Sequence, residues 1–177
     1  LMALELTSLV ITAVAILTHA TPEGINVAGS FSPSVIFAGG FNGGAGIAIA
    51  FAFASFIGFE ATAIYGEESK DPKRTIPRAT YWAIGIITAL FALVSFAMVT
   101  GMGNSKVADY IVANSGDPVL SNPAEVLFSL ANAYVGPWMP QVMSWLVVSS
   151  LFAGLLAFQN ATSRYFFALG RGGVLPK

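Results

Sequence analysis

Cysteine is absent from the 177 residues, and charged side chains make up only 10% of them. The lack of thiols excludes disulfide bonds and thiolate metal sites but says nothing about the compartment. Charge this sparse cannot cover a globular surface, because soluble domains carry about a quarter charged residues. The net charge of −1 provides no basic face, so no nucleic-acid partner is predicted.

Catalytic signatures are also missing from the sequence. It contains no HExxH, no GxSxG and no phosphate-binding loop that ends in Gly-Lys-Ser/Thr. His19 is the only histidine, and it stands at the end of an apolar segment. The sequence therefore predicts no enzyme, no bound metal and no cofactor.

Apolar residues dominate what is present, at 55% of the chain with a mean hydropathy of +0.73. A bilayer-spanning helix needs about 20 mostly apolar residues. The sequence predicts an all-α membrane protein in which residues 1–177 form part of one transmembrane domain. The apolar first residue and the uncapped end favour an internal piece of a longer protein. Four segments qualify as spans: about 3–19, 45–65, 80–101 and 140–168.

The connections between these segments differ in charge. The stretch 66–78 holds four cations, Lys70, Lys73, Arg74 and Arg78, with Pro72 and Pro77 as helix breakers. By the positive-inside tendency, loop 66–79 and the C-terminal end face the cytoplasm, which fits a protein of the plasma membrane. The stretches 21–44 and 102–139 then face outside, and the first of these reads as turns and irregular backbone.

One amphipathic helix is predicted in the second outer connection, over about 123–135. Asn122 is suited to be its N-cap, and Glu125 is placed for a capping box. Gly136 and Pro137 would end it. The spacing alone fits a helix over the outer mouth and a surface helix without a gating role equally well.

The second apolar segment carries the main candidate site. Its small residues fit close helix packing, but Gly58 beside a polar Ser55 and a charged Glu60 favours a helix broken near Ser55–Gly58. In such a break, free carbonyls suit an ammonium group, and a facing helix N-terminus suits an anionic group. A zwitterionic solute fits both ends.

Glu60 is a carboxylate in an apolar segment, which is a functional hypothesis by default. It fits a coupling or gating group, a structural partner for a neighbouring helix, or a residue of a water-filled vestibule. Glu67 and Glu68 lie just past the membrane end, where ion pairs could close an inner gate or simply belong to a solvated loop. In the fourth segment, Asn160 and Thr162 either bond across to other helices or line a polar path.

Two stretches closely resemble the amino acid–polyamine–organocation (APC) superfamily of permeases. Residues 55–60, SFIGFE, and 66–79, GEESKDPKRTIPRA, are similar to its sixth-helix signature. Residues 160–171, NATSRYFFALGR, and 173–176, GVLP, look like the end of its eighth helix and the following loop. The resemblance implies helices five to eight of a twelve-helix carrier with two inverted five-helix repeats and broken first and sixth helices.

This resemblance also implies residue roles. Phe53 becomes an aromatic lid over the substrate, and Phe158 becomes a pocket wall. Glu60 becomes the inner-gate carboxylate. The carbonyls that would receive the α-ammonium lie near the helix break: Ala54, Ser55, Phe56, Ile57, Gly58.

Departures from the family pattern bear on substrate and coupling. Some relatives for long cationic substrates have Trp at the position of Ala54, which puts an arginine-type exchanger in doubt. No Lys lies in residues 1–21, where certain proton-coupled relatives have one. Coupling stays open between H⁺, Na⁺ and exchange.

The leading functional prediction is a secondary transporter for an amino acid or small amine, with the lipid bilayer and the remaining helices of the permease as partners. A receptor-like or scaffold protein that keeps the fold without transport is the alternative. Directional uptake would separate the two.

Overall fold

The computed structural model describes residues 2–19, 21–37, 40, 44–58, 71–114 and 123–173. Its regular secondary structure in these residues is entirely helical, which confirms the all-α prediction. The twelve-helix inverted-repeat arrangement stays a prediction. In the described residues the helices are α1 (Met2–Thr18), α2 (Val27–Phe31), α3 (Pro33–Ile36), α4 (Gly44–Ser55), α5 (Pro72–Met102), α6 (Val107–Asn114), α7 (Pro123–Tyr134) and α8 (Trp138–Arg171).

Two of these helices are long and apolar enough to cross a membrane. The best windows of α5 and α8 have mean hydropathies of 2.3 and 1.8 over helices of 31 and 34 residues. At 1.5 Å per residue they are about 46 and 51 Å long, which exceeds the roughly 30 Å hydrocarbon core of a bilayer. Each helix therefore reaches beyond the apolar layer. α1 and α4 are shorter apolar helices.

The prediction of a loop up to residue 79 was wrong, because α5 already begins at Pro72. Pro72 occupies the first helical position, where its missing N–H would have had no intrahelical acceptor. Pro77 lies inside the helix and removes one bond near its start, and the helix continues through it. Two prolines taken as breakers thus lie within a continuous helix.

The stretch 21–44, predicted as irregular backbone, contains α2 and α3, and α6 was not predicted at all. α2 begins where the Asn26 Oδ1 accepts a hydrogen bond from the Gly29 N–H at 2.8 Å. Four to eight residues are too few for a hydrophobic period to stand out from turn-forming residues. Local capping and tertiary contacts, rather than periodicity, set these helices.

The core lies at one end of the helix bundle. Ile16 late in α1, Ala97 and Met102 late in α5, and Val126 and Leu130 of α7 form one buried cluster. A second, smaller cluster joins α7 to the start of α8 through Ala131, Met139 and Met143. α7 therefore packs its apolar face onto the ends of three other helices, and Tyr134 Oη donates to the Gly101 carbonyl at 3.0 Å.

Candidate functional site

The end of α4 is the centre of the predicted substrate site. α4 ends at Ser55, and a turn follows through Gly58, whose φ of +105° favours glycine. The Phe56 N–H donates to the Phe53 carbonyl, and the Ile57 N–H donates to the Ala54 carbonyl, both at 3.2 Å. These three-residue bonds tighten the last turn. A helix end thus coincides with the predicted break, while its continuation lies outside the described residues and stays a prediction.

The carbonyl groups at the end of α4 are suited to bind a cation. The summed peptide dipoles place about half a negative charge at a helix C-terminus. Ser55 Oγ donates to the Ala52 carbonyl at 2.8 Å, so the hydroxyl turns back onto its own helix. The Ala54 carbonyl already accepts one bond, and a carbonyl oxygen has a second lone pair. The turn therefore has acceptor capacity for an ammonium group.

The aromatic side chains of the turn have different surroundings. Phe56 packs edge-on against Phe91 of α5, with ring centroids 6.0 Å apart and planes at 82°. Phe53 is 77% exposed and Ile57 is 71% exposed. Phe56 thus anchors the turn to α5, whereas the ring predicted as a lid is available to other groups.

The predicted α8 residues lie in the second half of that helix. Phe158 is 64% exposed, and Asn160 and Thr162 are also on the surface of the described chain. The Asn160 Oδ1 accepts from Arg164 Nε at 3.2 Å, one turn along. Among the described residues, α4 and α8 form no extended packing interface. The described chain presents two separate walls rather than a closed pocket.

The three carboxylates predicted for gating or coupling, Glu60, Glu67 and Glu68, lie outside the described residues. Within the part that is described, no group of three His, Asp or Glu side chains could hold a metal ion. Neighbouring Asp71 and Arg74 form only a long ion pair of 4.0 Å between exposed side chains. Such a pair contributes little.

A contact that the sequence did not predict joins the two connections at the buried end. Both Glu23 carboxylate oxygens accept from the Ser105 N–H, at 3.3 and 3.2 Å, and Ser105 Oγ also donates to the carboxylate. Asn104 Nδ2 donates to the Asn26 carbonyl at 3.2 Å, and Ser30 Oγ donates to Asn104 Oδ1 at 3.3 Å. We call these five residues the loop clasp.

The clasp changes the acidity of its carboxylate. Hydrogen bonds from the Ser105 side chain and backbone stabilise the charged form, and they lower the pKa of Glu23 below its ordinary value. In the sequence, the available signal was one carboxylate in a 24-residue stretch, 21–44, without Lys or Arg. That signal marks a residue of interest but not its partner.

Together, these features describe a helical chain with two apolar helices of membrane-spanning length and a helix end exposed beside one of them. Comparison with known families identifies the class of protein, because the model of the amino acid permease family matches residues 2–177. The chain belongs to this family, and it is part of an integral membrane protein. No solved structure matches it.

Relatives in the family carry several names. The chain is 31% identical to the branched-chain amino acid permease BcaP of Lactococcus lactis over 147 residues, which cover 78% of this chain and 27% of that protein. It is 30% identical to the methylthioribose transporter of Bacillus subtilis, over 70% of this chain and 24% of that protein. Against the histidine permease HisP of L. lactis the identity is 28%, with coverage of 80% and 28%. The chain thus spans about a quarter of their length.

Proposed function

We propose that this chain forms part of a secondary transporter that moves an amino acid or related small amine by alternating access. The observation that carries the proposal is the end of α4 at Ser55, followed by Gly58 with positive φ. A helix end at membrane depth exposes carbonyls that can bind a solute ammonium without a charged side chain. Family membership supports the transporter class.

In this proposal the carbonyls from Ala54 to Gly58 receive the substrate ammonium, and Phe53 covers it. Exposure of the Phe53 ring supports its part, since a lid must be free to meet a substrate. Phe158 forms a wall from α8, and the remaining helices of the permease complete the site. Asn160 and Thr162 line a polar path.

Glu60 is proposed as the gating or coupling carboxylate, with Glu67 and Glu68 in inner-gate ion pairs. A carboxylate that alternates between wet and desolvated surroundings changes its proton affinity between states. Coupling to H⁺ requires this change in proton affinity. Coupling to Na⁺, or exchange, needs only the negative charge of the carboxylate. The proposed orientation puts residues 66–79, which include the start of α5, and the C-terminal end on the cytoplasmic side of the plasma membrane.

The test is uptake by the full-length protein that contains this chain, reconstituted in liposomes under H⁺, Na⁺ or no gradient. The named substrates of the relatives define the panel: branched-chain amino acids, histidine and methylthioribose, with polyamines added. Saturable uptake of one class supports the proposal. Folded protein that moves none of them under any gradient would favour the receptor-like alternative.

Two variants assign roles within the site. Phe53→Ala should raise KM about tenfold, because a lid ring contributes binding energy on the order of 1.4 kcal/mol. Phe51→Ala is the matched control, since Phe51 is 72% exposed on the same helix and is not among the residues proposed to contact the substrate. Equal KM values for the two variants would remove Phe53 from the site.

Glu60→Gln should keep exchange and lose gradient-driven accumulation, whereas Glu125→Gln in α7 should retain both.

A further inference from the structure

The start of α5 presents two arginines and a tryptophan in one strip. Arg74, Arg78 and Trp82 follow one another at four-residue intervals, which places them one above the next on the helix surface. With Thr75 and Ala79 they line an open depression of about 380 Å³. The residues proposed to contact the substrate are not among those that line this depression.

Among the described residues, Asp71 is the carboxylate that forms an ion pair with the strip, and the pair is long. The Arg74 side chain is 91% exposed and reaches Asp71 only at 4.0 Å. Arg78 is exposed, and among the described residues it makes no ion pair. Like charges one helical turn apart repel each other. A phosphate between the two guanidinium groups would turn this repulsion into attraction, and arginine matches phosphate with paired N–H donors.

The position of the two arginines relative to the bilayer indicates which molecule carries the phosphate. From Trp82 to Met102, where α5 ends, the helix rises about 30 Å, which is the thickness of the hydrocarbon core. Arg78 then lies about 6 Å and Arg74 about 12 Å beyond the apolar layer. This is the headgroup region and its edge. Tyr81 and Trp82 are 76% and 65% exposed at the boundary, where such rings are enriched.

We infer that Arg74 and Arg78 bind the phosphate of an anionic phospholipid headgroup, with Trp82 against its glycerol backbone. Basic side chains at a membrane boundary attract anionic lipids. The inferred site is a defined position on α5, which differs from a general attraction between basic residues and an anionic membrane surface. This binding does not depend on transport, so it can be tested separately.

The test places the full-length protein in nanodiscs of phosphatidylcholine with increasing amounts of phosphatidylglycerol brominated on its acyl chains near the glycerol. Bromine quenches nearby tryptophan, and the difference from Trp82→Phe isolates the Trp82 signal. Brominated phosphatidylglycerol should quench Trp82 at lower mole fraction than brominated phosphatidylcholine. Arg78→Gln should weaken this preference about tenfold, because it removes a charge-assisted hydrogen-bonding partner.

Lys73→Gln is the matched control, since it removes the same charge one residue outside the strip and should keep the preference. Arg78→Lys should lose part of it, because charge remains but the paired donors do not. Equal loss in Lys73→Gln and Arg78→Gln would overturn the defined site in favour of general surface charge. Inorganic phosphate that abolishes the quenching preference at unchanged lipid composition would overturn the lipid as ligand and identify a soluble anion. All variants are first checked for a single monodisperse species.

Discussion

Gly101, near the end of α5, lies against side chains of α1 and α7, and replacing it with alanine probes the packing of the buried end. A Cβ at this position would lie 2.9 Å from Ile16 Cγ2, 3.3 Å from Leu130 Cδ2 and 3.5 Å from Tyr134 Cε2. The Cγ2 methyl of Ile16 can move away only if the side chain leaves the χ1 rotamer that a helix strongly prefers or if α1 shifts. We therefore expect Gly101→Ala to destabilise the protein.

Two opposing effects set the magnitude. An extra carbon in a packed core costs about 1–3 kcal/mol, while Gly→Ala in a helix interior gains up to about 1 kcal/mol. Gly101→Ala should therefore lower the free energy of unfolding by up to about 3 kcal/mol. Gly85→Ala in the same helix meets no atom within 4 Å in the described chain and should show only the gain. The two variants should differ by about 1–3 kcal/mol.

The assay is equilibrium unfolding of the full-length protein in detergent micelles, run as a double-mutant cycle with Ile16→Ala. Ile16→Ala removes the Cγ2 methyl and makes room for the new carbon, so Gly101→Ala should cost nothing further in that background. The coupling free energy should be about 1–3 kcal/mol. A cost for Gly101→Ala that is unchanged by Ile16→Ala would refute the proposed contact between α5 and α1.

Two further perturbations address the clasp and the core. Because hydrogen bonds lower the pKa of Glu23 from 4.5, its stabilisation is present above pH 4.5 and is lost as pH falls through the lowered pKa. The melting temperature of Glu23→Gln should therefore lie below that of the parent at neutral pH and meet it in acid; a gap independent of pH would contradict this. Leu130→Ala should cost about 2–5 kcal/mol, since the side chain is only 1% exposed. Half-buried Leu127→Ala should cost less in the same unfolding assay, and equal losses would argue against a core centred on Leu130.

The two long helices contain the apolar segments predicted at about 80–101 and 140–168, because the signal of such segments is strong and local. Runs of about 20 apolar residues identify membrane-length segments without any knowledge of neighbours. The sequence-based prediction was wrong where proline can either interrupt a helix or begin one. Proline usually breaks a helix in its interior, but Pro72 at the first position begins α5, and α5 continues through Pro77. The charge at Lys73 and Arg74 reinforced the loop interpretation, although a helix can leave the bilayer and continue in water.

At the candidate site, residues adjacent in sequence were predictable and distant pairs were not. The break predicted near Ser55–Gly58 coincides with the end of α4, because both residues act on the backbone within one turn. The edge-on pair of Phe56 and Phe91 and the bond from Ser105 to Glu23 join residues far apart in sequence. No periodicity encodes such pairs, because they depend on how connections of several residues fold in three dimensions.

Exposure along α8 indicates how this chain meets the rest of the permease. Apolar side chains such as Leu151 and Leu155 can face lipid at no cost, because acyl chains are as apolar as leucine. Asn160 cannot, since a polar amide at membrane depth needs protein or water around it. Its Oδ1 accepts a hydrogen bond from Arg164 Nε one turn along the helix. We therefore expect the face of α8 that carries Asn160 to turn toward the remaining helices and the aqueous path, and the opposite face to turn toward lipid.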